Sequence, residues 1–70
     1  MRQSNVDISR YPKFESLQEA VDYFESKGTL EYFGREYPEM YCVYVHVESA
    51  TGNRYYIDIF DDGRIVVMRG

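Results

Sequence analysis

Apolar and polar side chains alternate through the second half of the chain. Val43, Val45 and Val47 alternate with Tyr44, His46 and Glu48, and the pattern returns in Tyr55, Ile57 and Ile59 and again in Ile65 and Val67. A period of two belongs to a strand with one buried face, so residues 40–70 predict consecutive antiparallel strands joined by tight turns. The strongest apolar positions all carry odd numbers, which constrains those turns. Opposed residues on an antiparallel pair share a face, so odd must meet odd. Two-residue loops at Gly52-Asn53 or Asp62-Gly63 would set valines against polar side chains. Three-residue loops restore the match: Ala50-Thr51-Gly52 closes Ser49 against Asn53, and Asp61-Asp62-Gly63 closes Phe60 against Arg64. Each puts glycine third, where a type I turn followed by a bulge calls for a left-handed residue.

The expected register pairs Val47 with Tyr55, Val45 with Ile57, Val43 with Ile59, Ile59 with Ile65 and Ile57 with Val67, and makes these the core face. The second face then carries Cys42, Tyr44, His46, Glu48, Arg54, Tyr56, Asp58, Phe60, Arg64, Val66 and Met68, with Glu48 opposite Arg54.

Upstream the period changes. Leu17, Ala20, Val21 and Phe24 fall on one helical stripe, Ser16 and Glu19 have capping-box spacing, Lys27 suits the C-terminal dipole, and Gly28 suits a left-handed stop. A helix over 17–27 is predicted. Tyr11-Pro12 favours an extended lead-in, and Val6 and Ile8 alternate in an otherwise polar stretch that reads as a frayed tail or a short edge strand. Residues 29–39 admit two readings, a further helical turn capped by Thr29 or a short strand with Leu30 and Tyr32 on one side, and Gly34 interrupts either. The cluster of Tyr32, Phe33, Tyr37, Met40 and Tyr41 around Pro38 predicts a connection lying over one end of the sheet.

The fold class is therefore α+β: one main helix on a three- to four-stranded antiparallel meander. Residues 1–70 make a single domain, with a polar segment (1–13), the helix (14–28), an aromatic connection (29–39) and the strands (40–70). Seventy residues bury a small core, and the 17% aromatic content compensates with large area per side chain. One cysteine allows no internal disulfide, and with no apolar run of signal-peptide or membrane-span type the expected location is cytoplasmic.

Charge changes the picture more than composition does. The net charge is −4, yet residues 1–13 carry +2, residues 14–39 carry −5 and residues 40–70 carry −1. No basic groove is present, so direct nucleic-acid binding is disfavoured, and the few basic residues near the N-terminus make no membrane-binding stretch.

Catalytic chemistry finds little support. The expected register sets His46 diagonal to Asp58, within reach of a base and its orienting carboxylate, but only Cys42 offers a nucleophile. One His, one Cys and scattered carboxylates lack metal-site spacing, and Asp61-Asp62-Gly63 is turn chemistry. The expectation is no enzyme, no cofactor and no metal. Two interaction surfaces remain. Tyr44, Tyr56 and Phe60, with Val66, Met68 and Asp58, have the composition of a protein interface, unless the N-terminal segment or the 32–41 connection folds across them. Glu15, Glu19, Asp22 and Glu25 form an acidic helix stripe, the alternative being a solvated face. The expected partner is a protein or ribonucleoprotein with a basic site; the runner-up is a self-associating structural or accessory subunit, a homodimer through the second face or through the last strand, Ile65 to Met68, at the edge of the meander. In size, acidity and want of catalytic motifs the chain resembles, in type and not by family, the small phage proteins that block a host defence or polymerase. That likeness implies an inhibitor of the anti-defence or DNA-mimic kind.

Overall fold

The computed structural model describes residues 5–70. A single 3-10 turn (η1, Ile8–Arg10) precedes one helix, α1 (Leu17–Lys27), and four strands follow: β1 (Gly28–Glu36), β2 (Tyr41–Glu48), β3 (Arg54–Phe60) and β4 (Ile65–Arg69). The strands form one antiparallel sheet in the order β1-β2-β3-β4, and α1 packs on one face of it. The molecule is the α+β meander that the periodicity predicts, with four strands.

The helix starts where the capping residues place it. Ser16 Oγ accepts the Glu19 N–H at 3.2 Å, and the Glu19 carboxylate reaches back to the N–H of Glu15 at 3.0 Å, one residue beyond the usual cap position. Its stripe buries Ala20 and Phe24, and Phe24 meets Tyr11, Tyr23 and His46 edge-on at ring separations of 5.2–5.4 Å. The helix then passes into β1 without a loop. Gly28 is extended (φ 163°), not in the left-handed stop that sequence reasoning expects. It is glycine for another reason: a Cβ there would lie 2.0 Å from the Val47 carbonyl oxygen.

The second hairpin follows expectation. Gly63 takes φ 93°, Phe60 N–H donates to the Arg64 carbonyl, and Ile59 pairs with Ile65 and Ile57 with Val67. A side chain at Gly63 would also strike the Phe14 carbonyl, so this turn seats the chain entering α1. The first hairpin departs from expectation. Its loop is Ser49-Ala50-Thr51-Gly52, closed by Gly52 N–H to the Glu48 carbonyl at 2.7 Å and by Glu48 N–H to the Asn53 carbonyl at 2.9 Å. Thr51 Oγ1 holds it, donating to Glu48 Oε1 and accepting the Asn53 N–H, while Ser49 N–H is tied to the Lys27 carbonyl. One extra loop residue shifts every pair: Tyr44 lies opposite Ile57, His46 opposite Tyr55 and Cys42 opposite Ile59. A one-residue slip exchanges the faces of a strand. Cys42, Tyr44 and His46 therefore join the core under the helix, and Val43, Val45 and Val47 turn to the other side.

Residues 28–36 are an edge strand, not a connection over the end of the sheet. Thr29, Leu30, Glu31 and Tyr32 pair with Val47, His46, Val45 and Tyr44, and a bulge at Phe33 precedes the pairing of Gly34 with Val43. Leu30 thereby packs against the core. At the opposite edge Asn5 bridges Met68 and Val6 N–H donates to the Val67 carbonyl at 2.7 Å, while Val6, Tyr11 and Phe14 pack against the helix-side core. From Asn5 onward the N-terminal segment thus flanks β4; Arg2 and the rest of residues 1–4 lie outside the described residues.

Candidate functional site: the open face of the sheet

Alternation along four registered strands places a grid of side chains on the face away from α1. Its rows are Thr29, Val47 and Arg54; Glu31, Val45, Tyr56 and Met68; Gly34, Val43, Asp58 and Val66; and Glu36, Tyr41, Phe60 and Arg64. The centre is aliphatic and aromatic. Val45 is only 5% exposed between its neighbours, and Val43, Tyr56, Val66 and Met68 are half-buried. Charge is confined to the ends of the rows, with one exception.

That exception is Asp58. It stands between Val43 and Val66 in its row and between Tyr56 and Phe60 along its strand, half-buried. Loss of water raises its pKa, and the neighbouring Glu36 carboxylate raises it further. Tyr41 responds to the same surroundings, its hydroxyl pushed up by desolvation and then by Asp58, Glu36 and Glu39. Among the described residues no cation answers Asp58. Arg64 lies 4.5 Å over the Phe60 ring and binds Asp62 at 2.9 Å, and Arg35 is taken by Asp61 at 2.6 Å on the other side of the sheet.

The residues predicted to form a partner surface are divided by this geometry. Tyr56, Asp58 and Phe60 share the open face. Tyr44 does not: it is 7% exposed on the helix side, where burial pushes its hydroxyl up to about 12. His46 is 3% exposed there, stacked near Tyr55 and bonded through Nδ1 to the Thr29 carbonyl at 2.8 Å. The expected His46–Asp58 pair is therefore split across the sheet, and so is Glu48 from Arg54, which instead pairs with Val47. Cys42 is buried with its sulfur 3.3 Å from an Arg35 nitrogen, part of a clamp joining β1, β2 and the β3–β4 turn.

On the helix, Glu15, Glu19, Asp22 and Glu25 are all exposed, yet Glu19 is spent on the cap and Asp22 accepts from Gln18 Nε2 at 2.9 Å. Sequence reasoning missed Val43, Val45, Tyr41 and Glu36 as members of the surface. The signal that would have found them is the hydrogen-bonding capacity of Thr51, which favours a four-residue loop.

Among the described residues no group of three His, Cys, Asp or Glu side chains is placed to hold a metal ion, and no helix is long and apolar enough to cross a membrane. No protein-family model, curated protein or solved structure matches this chain.

Proposed function

We propose that this protein is a non-enzymatic binding module that docks a protein surface on its open sheet face, with a lysine or arginine of the partner set between Asp58 and Glu36. The single observation behind this reading is a carboxylate inside an apolar surface that no cation among the described residues compensates. Asp58 already bears part of the cost of leaving water, and Glu36 adds repulsion, so a partner cation relieves both. The surrounding Val43, Tyr56, Phe60, Val66 and Met68 supply the water-excluding apolar contact that makes such a pair count. Self-association through this face is disfavoured, because an isologous interface centred here brings Asp58 of one copy toward Asp58 of the other. An inhibitor that occupies a basic site on a macromolecule, as the likeness to phage proteins implies, is the function class this surface suits.

The test is capture from a lysate with the wild-type protein, an Asp58→Arg variant and a Glu15→Lys/Glu25→Lys variant as baits. A partner held by this face is lost with Asp58→Arg, by ~2 kcal/mol or more in affinity, and retained by the helix double variant. Its affinity also falls with added salt and as the pH drops through the raised pKa of Asp58. Retention by the Asp58→Arg bait with loss on the helix variant would move the site to the acidic stripe.

A further inference from the structure

Beyond the open face, the edge of β4 has its own unanswered groups. Phe60–Arg64 and Arg54–Gly70 are the hydrogen-bonded pairs of the last hairpin. By the alternation of antiparallel ladders, the N–H and C=O of Ile65 and Val67 then point away from β3, toward the N-terminal segment. Val6 uses the Val67 carbonyl. At Asp7 the segment turns off, because the Asp7 carboxylate accepts the Ser9 N–H at 3.0 Å and starts the 3-10 turn. It returns only at Phe14, and no main-chain group among the described residues meets Ile65. Between the departing segment and β4 lies a cleft of about 660 Å³, walled by Ile8, Tyr11, Pro12, Phe14 and Val66, with Lys13 and Arg64 at its rim. Pro12 has no N–H, so this stretch of wall offers one fewer donor to the strand edge.

We propose that this cleft binds an extended peptide segment that pairs with the Ile65 N–H and C=O, continuing along β4 the strand that Asn5 and Val6 begin. The volume falls in the range of built ligand sites, and although Ile65 as a residue is 7% exposed, it lines the cleft; an unpaired strand edge with pockets for alternate side chains is the geometry of strand addition. The occupant presents alternate apolar side chains to the walls. An acidic side chain serves its rim, since Lys13 is exposed there with no ion pair among the described residues, while Arg64 is held by Asp62 at 2.9 Å and the Asp7 carboxylate is turned to Ser9. The site adjoins the open face through Phe60, Arg64 and Val66 but does not use Asp58.

The probes are a capped pentapeptide of alternating valine and glutamate, its valine–lysine counterpart, and the acidic peptide N-methylated at its central residue, each titrated into the full-length protein with amide resonances as the readout. The acidic peptide is expected to shift the Ile65 amide and slow its exchange about tenfold or more. The lysine peptide should bind several-fold more weakly, Lys13→Glu should reverse that order, and N-methylation should abolish the effect. Ile8→Glu should weaken binding without unfolding the protein, because Ile8 is 48% exposed. Asp58→Arg should leave peptide binding unchanged, which separates this site from the open-face reading. No shift at Ile65 at millimolar peptide, or equal binding of the N-methylated peptide, would overturn the proposal.

Discussion

The helix-covered and open faces of the sheet differ less in hydrophobicity than in what their side chains demand. The covered face holds Ile57, Ile59, Ile65 and Val67 together with Cys42, Tyr44, His46 and Tyr55, four groups with polar atoms. Several of those atoms have partners in place: Thr29 for His46, Arg35 for Cys42 and Asn53 for the Tyr55 hydroxyl. No buried side-chain nitrogen or oxygen among the described residues is left unpaired. Buried polar groups require such answers, and only a face with a fixed neighbour can supply them. The open face is built the other way. Val43, Val45, Val47, Val66 and Met68 ask nothing of a neighbour, and the charged group set among them, Asp58, has no cation among the described residues to answer it. A core can thus take the more polar residues while the plainer aliphatic ones face outward, when the first are satisfied internally and the second await a partner.

Substitutions on the two faces should therefore separate in size. Phe24→Ala, at the centre of the covered layer and 1% exposed, should cost ~3–5 kcal/mol in denaturant unfolding. A loss near that of an open-face Val66→Ala, expected at ~1 kcal/mol, would erase the distinction. Gly28→Ala should come next, at ~1–3 kcal/mol, because its Cβ collides with backbone where helix, β1 and β2 meet. A neutral result would mean that β1 can be displaced without cost.

Tyr56→Ala tests the open face directly. Being half-buried in the free protein, Tyr56 should cost only about 1 kcal/mol of stability, yet ~2 kcal/mol or more in partner binding. A large fall in melting temperature with binding per folded molecule unchanged would assign Tyr56 to the fold alone. The smallest effect is that of Asp58→Asn. A carboxyl whose pKa is raised on folding is held protonated more tightly by the folded state, so its charged form destabilises. Stability from this group declines as the pH rises from the ordinary value of 3.8 through the raised one. Asp58→Asn should accordingly be slightly more stable than the wild type near pH 7 and equal to it near pH 3. Denaturant midpoints at the two pH values measure the difference. A variant less stable at neutral pH would show that Asp58 is favourably paired in the free molecule.

Much of this fold is legible in the residues themselves. The spacing of Leu17, Ala20, Val21 and Phe24 and the Ser16–Glu19 cap define α1, because helix periodicity and capping act within a few residues. Asp61-Asp62-Gly63 specifies its turn for the same reason, and the alternation from Tyr41 to Met68 specifies the strands. What the alternation does not carry is which side of β2 meets the helix. Both sides are apolar enough to be buried, so the choice passed to one loop residue. That residue was settled by Thr51, which bonds Glu48 and Asn53 within the loop, together with a contact outside the local pattern, Ser49 with the end of α1 at Lys27.

β1 was ambiguous for a related reason. Thr29, Tyr32 and Phe33 suit a strand, yet Thr29 can equally cap a helical turn and Gly34 interrupts either, so the choice waits until Leu30 and Tyr32 find His46 and Tyr44 beside them. The same holds for the site. Acidity and aromatic content follow from composition alone, whereas setting Asp58 among valines, and apart from His46, required the register of three strands at once. Local chemistry specifies elements because its interactions span one turn of chain. Faces and surfaces depend on pairing between distant segments, and there a single residue of loop length reverses the outcome.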